Sequence, residues 1–249
     1  MKNLNNQKIW ILGASAGLGA ELAKILDFDG AVIAISARSE SDLSLLGKSL
    51  DNKPLIRPLD VTDVSQIASA AQSILSEWKT IDRIVYLPAI YNPMKLSRLN
   101  LDIVQKEIEV NLLGLFNMIS VALPVLQKQK QGQFLICSSV AGFVGLPMGQ
   151  PYSATKAAVT NVAESLKCEN PNLDIKIIHP GFIKTRLTDQ NNFKMPMILD
   201  AEVAAYKLYK GMLKNKFEIS FPWTFIATIK LIRILPYSIF FKIFNAKKH

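Results

Sequence analysis

Ser139, Tyr152 and Lys156 are the residues whose types and spacing can do chemistry. The serine lies 13 residues before the tyrosine and the lysine 4 residues after it. If Tyr152 opens a helix, Tyr152 and Lys156 stand one turn apart on one face. An ammonium held there favours the phenolate, so a phenol that ordinarily titrates near ~10 would exchange protons closer to neutrality. Ser139, at the end of a strand, can hydrogen-bond the same substrate oxygen. Together they suit proton transfer to or from a carbonyl or alcohol.

Those three side chains need a scaffold, and the chain of 249 residues is long enough for one sizeable α/β domain with a core on both faces of a sheet. The net charge of +9 is uneven. No acidic residue follows Glu218, while Lys230, Arg233, Lys242, Lys247 and Lys248 put +5 in the tail and leave +4 for the body. Basic residues interleaved with an apolar run, without a nucleic-acid motif, do not read as a nucleic-acid surface. Cys137 and Cys168 lack metal-ligand spacing, no metal set is expected, and both read as buried free thiols in a reducing compartment. Lys2 and Lys8 before the apolar Ile9-Trp10-Ile11-Leu12 resemble a short signal peptide, but the glycine turn and helical pattern that follow make this run a first strand. The expected location is the cytoplasm.

The first strand, Lys8–Leu12, enters Gly13-Ala14-Ser15-Ala16-Gly17-Leu18-Gly19, and a helical pattern follows through Leu22, Ile25 and Leu26. In that context the turn residues Gly13, Ser15, Gly17, Leu18 and Gly19 are candidates to hold a pyrophosphate through backbone N–H groups and the helix N-terminus. The spacing is G-x-x-x-G-x-G, not the commoner G-x-G-x-x-G. The second strand, residues 31–36, ends in Ala37-Arg38 where an acidic residue would bind the ribose 2′-hydroxyl of NAD. An arginine suits a 2′-phosphate, so NADP(H) is the expected cofactor, against the alternative of a solvated surface arginine. Asp60, after a third strand at 55–58, can accept a hydrogen bond from adenine or cap the helix that starts near Asp63.

A fourth strand at 81–86 ends in Leu87-Pro88-Ala89-Ile90, and a long amphipathic helix, Leu101–Gln129, carries Asn111. By residue type alone Asn111 is a solvated polar position. Strands at 132–137 and 173–178 flank a helix opened by Tyr152, and His179-Pro180-Gly181 should break the later strand, with His179 structural. Asp200 should cap a last helix, before a last strand at 217–221. The alternation predicts a doubly wound, Rossmann-type parallel sheet in three layers, as a single domain over residues 1–222.

Several ordered motifs make the chain resemble the short-chain dehydrogenase/reductase family from about Lys8 to Pro222. They are Gly13-x-x-x-Gly17-x-Gly19, Asp60-Val61, Asn111, Ser139, Tyr152-x-x-x-Lys156 and Pro180-Gly181-x-x-x-Thr185. The resemblance implies that Tyr152 is the general acid/base and that Ser139 orients the substrate oxygen. It implies that Lys156 binds the nicotinamide ribose and lowers the tyrosine pKa. It also implies that Asn111 holds a water linking Lys156 to solvent, which reverses the solvated reading. Asp60 and Val61 fall on the adenine side, while Pro180, Gly181, Ile183 and Thr185 meet the carboxamide or phosphate side. Hydride would then pass between the cofactor and substrate carbon while Tyr152 moves the proton. Two positions depart from the family pattern. Leu12 replaces a threonine before the first glycine, and Tyr86-Leu87-Pro88-Ala89 replaces Asn-Asn-Ala-Gly, removing a polar brace and, at Pro88, a backbone donor.

Apolar residues crowd the expected pocket: Phe143, Val144, Leu146, Pro147 and Met148, then Phe182, Leu187, Phe193, Met195, Pro196 and Met197 in a lid at about 182–199. They favour a lipophilic substrate, or they are ordinary packing material. The tail, residues 223–249, is apolar and basic, and Pro236 should break or kink a helix in it. It reads as a peripheral contact on the cytoplasmic face of a membrane, lysines toward anionic headgroups, or as an arc packed on a second subunit of a homodimer. The leading function is an NADP(H)-dependent oxidoreductase. The rival is a non-catalytic NADP(H) sensor or membrane scaffold on the same fold, which would not need the Asn-Ser-Tyr-Lys set.

Overall fold

Apolar residues alternate along the first strand in a way that calls for cover on both sides. Trp10 and Leu12 belong to one buried cluster, and Ile9 and Ile11 to another. A strand buried on both faces belongs in the middle of a parallel sheet, and the computed structural model, which describes residues 3–245, places it there. The chain runs β1 (Lys8–Leu12), α1 (Gly17–Phe28), β2 (Val32–Ser36), α2 (Glu40–Lys48), β3 (Leu55–Ile56), α3 (Val64–Trp78) and β4 (Arg83–Tyr86). It continues through α4 (Leu101–Ile108), α5 (Gly114–Gln129), β5 (Gln133–Cys137), α6 (Tyr152–Glu169) and β6 (Asp174–Pro180). A short pair, β7 (Ile183–Lys184) and β8 (Leu199–Asp200), closes off the segment expected as a lid. Then come α7 (Ala201–Met212), β9 (Glu218–Phe221), α8 (Trp223–Arg233) and α9 (Tyr237–Asn245).

The sheet has seven parallel strands in the order β3-β2-β1-β4-β5-β6-β9, so the winding reverses between β1 and β4. In a doubly wound sheet that reversal opens a crevice at the carboxyl ends of the two strands. Helix α1 packs against α7 on one face, and α3 against α5 on the other. The three-layer, doubly wound reading is correct.

Several local expectations need correction. β6 runs on through His179 to Pro180, because these residues pair with Ser220 and Phe221 of β9; the break falls at Gly181. β3 stops at Ile56. Asp63, not Asp60, caps α3, its carboxylate accepting from the Ser65 and Gln66 N–H groups. Asp200 stands at the cap position of α7, but its side chain makes no capping bond. Cys137 is half-buried, whereas Cys168 is exposed near the end of α6. The tail is not a free arc: Ile226, Ile229 and Phe240 are buried against Val140 and Val144. Pro236 separates α8 from α9, as its ring requires. Lys2, Lys247 and Lys248 lie outside the described residues.

Candidate active site

The glycine turn joins β1 to α1 at the crevice. Gly13 and Gly17 have φ of 80° and 56°, a region that disfavours side chains. Gly19 serves close approach instead, since a Cβ there would lie 2.2 Å from the Gly13 carbonyl oxygen. Helix α1 begins at Gly17 with no side-chain cap and no acidic residue in its first turn. Its first N–H groups and the positive end of its dipole therefore face the crevice, an arrangement that suits a phosphate.

The crevice is a single cleft of about 1460 Å³. Pockets for drug-sized ligands run to roughly 300–1,000 Å³, so there is room for a dinucleotide and a substrate together. Gly13, Ser15, Gly17, Leu18 and Gly19 line it, as do Arg38, Asp60 and Val61 from the ends of β2 and the loop after β3. Ser139, Tyr152 and Lys156 line it from the β5–α6 side, with Pro180, Gly181, Ile183 and Thr185 opposite. Thr185 closes on the glycine turn so tightly that a Cβ on Gly17 would meet its methyl at 2.9 Å. The donors, the cradle and the size all fit a nicotinamide dinucleotide.

Arg38 is exposed at the rim, and among the described residues it has no carboxylate within ion-pair distance. The Asp60 carboxylate accepts from the Thr62 N–H and hydroxyl. Burial opposes its ionisation, but these bonds and the nearby Arg38 charge outweigh it and hold its pKa below the ordinary value. Leu87 and Pro88, the departure after β4, pack directly on Gly13: a Cβ there would lie 3.0 Å from the Pro88 nitrogen.

Tyr152 opens α6, and Lys156, one turn on, is buried beneath it with its Nζ 5.7 Å from the tyrosine ring centre. The ammonium donates to the Cys137 carbonyl at 2.8 Å. Ser138, whose role was not visible in the sequence, donates to the Lys156 carbonyl at 2.8 Å and lies 2.9 Å from the Thr160 hydroxyl, fixing α6 to the end of β5. Electrostatics here differ from expectation. Burial pushes the Tyr152 phenol well above its ordinary value; the nearby Cys137, Glu107 and Tyr91 add to this, while the Ser139 hydroxyl works the other way. Burial also lowers the Lys156 pKa. Desolvation by the surrounding protein dominates at this half-buried phenol, and the ammonium donates to the Cys137 carbonyl.

Asn111 is the assigned residue that does not line the cleft. It sits in a π-helical turn, Glu109–Leu113, between α4 and α5, where a continuous regular helix was expected. Such turns often occur at functional sites. Its carboxamide accepts from the Ile90 N–H and donates to the Ile90 carbonyl, both at 2.8 Å, and approaches the Thr155 hydroxyl at 3.3 Å. It is buried, so the solvated reading is wrong. Asn111 instead braces the loop after β4, next to the replaced Leu87-Pro88-Ala89. Glu107, one turn earlier, escaped the sequence reading although i,i+4 spacing from Asn111 could have found it. It is fully buried, accepts from the Asn92 N–H at 2.6 Å, and burial raises its pKa. Tyr91 lies edge-on to Tyr152 at 5.1 Å between ring centres. His179 is structural, held between Thr160 and Glu218.

Comparison with known proteins agrees with this geometry. The family model described as short chain dehydrogenase matches residues 7–195. An oxidoreductase of Myxococcus xanthus (strain DK1622), named as uncharacterized, is 29% identical over 245 residues, 96% of this chain and 97% of that relative. A short chain dehydrogenase from Burkholderia cenocepacia J2315 in complex with NADP shares the fold with a TM-score of 0.84 at 23% identity, over 98% of this chain and 99% of that one. A short chain dehydrogenase/reductase from Burkholderia phymatum in complex with NAD also superposes with a TM-score of 0.84, at 18% identity over 93% of this chain and 94% of that one. The protein belongs to the short-chain dehydrogenase family, oxidoreductases that use a nicotinamide cofactor on small-molecule substrates.

Proposed function

We propose that this oxidoreductase uses NADP(H) to interconvert a lipophilic carbonyl compound and its alcohol. The observation that carries the reading is the convergence of Tyr152, Lys156 and Ser139 on one cleft with the glycine turn. The bound cofactor supplies the hydride donor or acceptor. Tyr152 donates its phenolic proton to the carbonyl oxygen in reduction and takes it back in oxidation. Ser139, beside the phenol, holds that oxygen in place. Lys156, anchored on Cys137, presents its charge beneath the phenol and holds the ribose. Asn111 maintains the loop at Ile90, the wall of the cleft that faces Tyr152.

The protonation of Tyr152 bears on direction. A phenol pushed up by burial is protonated at neutral pH, which is the form that donates to a carbonyl oxygen. Reduction is therefore expected to hold across neutral pH and to fall only as alkaline pH removes the proton. Apolar walls contributed by Leu146, Pro147, Phe182, Phe193 and Phe225 favour a lipophilic substrate. Arg38, unpaired among the described residues at the rim, supports NADP(H) over NAD(H).

Tyr152→Phe tests the mechanism. Screened against aldehydes and ketones with NADPH, the variant should lose about 10²–10⁴-fold in turnover while still binding NADPH. Turnover equal to wild type overturns the assignment.

A further inference from the structure

We propose that α8 and α9 dock this protein on the surface of a bilayer rich in anionic headgroups, beside the mouth of its substrate cleft. The inward side of α8 is accounted for, since Ile226 and Ile229 are buried on Val140 and Val144. Its outward stripe is not. Trp223 is 72% exposed, Leu231 60% and Ile234 76%, and together with Ala227 they recur at helical spacing along one side. The second helix also exposes apolar residues. Phe240 is buried, while Tyr237 and Phe241, stacked at 5.7 Å, are exposed on one flank of it and Ile239 and Ile243 on the other. Aromatic and aliphatic side chains left in water along two consecutive helices form a patch that wants an apolar partner.

Charge says which partner. Arg233 and Lys242 are exposed on the same two helices and have no carboxylate at ion-pair distance among the described residues. The chain has no acidic residue beyond Glu218, and Lys247 and Lys248 follow in sequence. Lys230, expected to face headgroups, does not: it is tied to Glu218 and lies over the Phe143 ring at 5.1 Å. A second copy placed on the same patch by a two-fold axis would set these cations against each other without carboxylates to answer them. An anionic lipid surface offers both the apolar medium and the countercharge. At 11 and 9 residues the helices are too short to span, since a span needs ~20, so they lie in the interface.

The patch continues onto the lid. The Thr224 hydroxyl lies 3.5 Å from the Met197 sulfur, and Phe182 packs on both Phe193 and Phe225. Phe193 and Met197 are exposed there. On the inside, Phe225, Ile229 and Phe244 line the cleft. These helices thus border the cleft on one side and the bilayer on the other, which brings the cleft mouth beside the lipid from which a lipophilic substrate would enter; this delivery rests on the function proposed above.

The full chain, mixed with phosphatidylcholine vesicles with or without phosphatidylglycerol, tests docking without any turnover. Trp10 and Trp78 are buried, so a change in tryptophan emission on adding vesicles reports Trp223. The expected results are co-sedimentation that is stronger with phosphatidylglycerol and a blue shift of emission. In the double variant Leu231→Glu/Ile234→Glu, which alters only exposed positions, vesicle affinity should fall about tenfold or more. Turnover of a water-soluble carbonyl substrate should be unchanged, and turnover of a long-chain one presented in vesicles should fall. Wild-type protein that neither sediments nor shifts overturns the docking. So does a dimer, dissociated by the same double variant, that ignores lipid. Vesicle binding with unchanged turnover of the vesicle-borne substrate overturns the delivery route alone.

Discussion

At Tyr152 two effects of opposite sign meet: a nearby ammonium that favours the phenolate and a buried setting that favours the phenol. Desolvation is the largest influence on the phenol and carries the balance toward its protonated form, while Lys156 turns one of its donors to the Cys137 carbonyl. Spacing in the chain announced that the two residues would share a helical face; it could not announce where the ammonium would point. Arg38 is the second residue whose chemistry is specific enough to test. A charge-assisted hydrogen bond is worth about 1.5–3 kcal/mol, so Arg38→Ala should weaken NADPH binding about 10- to 100-fold and leave NADH nearly unchanged. Titration of both cofactors by protein fluorescence measures this, and equal losses for the two would remove Arg38 from the 2′-phosphate.

Among the elements, β6, β9 and α8 meet at Glu218, which takes His179, Ser220 and Lys230 onto one carboxylate. His179 is the largest of the influences that hold its pKa down to about 2, against an ordinary 4.5. A carboxylate with a depressed folded-state pKa contributes stability above its unfolded value and loses it as pH falls through the folded one. That contribution should therefore be complete above pH 4.5 and disappear toward pH 2. Glu218→Gln should cost roughly 1.5–3 kcal/mol at neutral pH, trimmed by the partial exposure of the site. Urea unfolding should also show a smaller acid-induced loss in the variant than in wild type. Equal acid sensitivity in both proteins would place the titrating group elsewhere. The sequence marked His179 as structural, but its partner comes from a strand that only the sheet brings alongside.

For the whole molecule, the cleft lies between the glycine turn, the end of β4 and the lid, so a dinucleotide bound there should stabilise the native chain and not the unfolded one. At about 100 times its dissociation constant such a ligand adds about 2.7 kcal/mol, or about 5–10 °C in melting temperature for a chain of this size. Thermal unfolding with NADPH measures it, and an unchanged midpoint would mean that the cleft does not hold the cofactor in the folded protein. The outer surface has a second consequence. The apolar tail lines part of the cleft with one side and leaves other residues exposed, so the same two helices border the cleft and carry the proposed bilayer contact.

The fold was legible because it depends on local periodicities: apolar runs of strand length, helical stripes, and glycines where a backbone must turn at a phosphate. The order of Gly13, Gly17, Gly19, Ser139, Tyr152 and Lys156 was enough to expect the site for the same reason, since each lies at an element end whose position the winding dictates. Other features depend on groups that meet across the sheet or along an unforeseen turn. The π-turn that aims Asn111 at Ile90, the buried Glu107, and the commitment of Lys230 to Glu218 are of this kind. Composition alone determined that the tail would be apolar and basic. Only tertiary packing decided which of its residues face the cleft and which face outward, because that division follows from where α8 and α9 rest on Val140 and Val144.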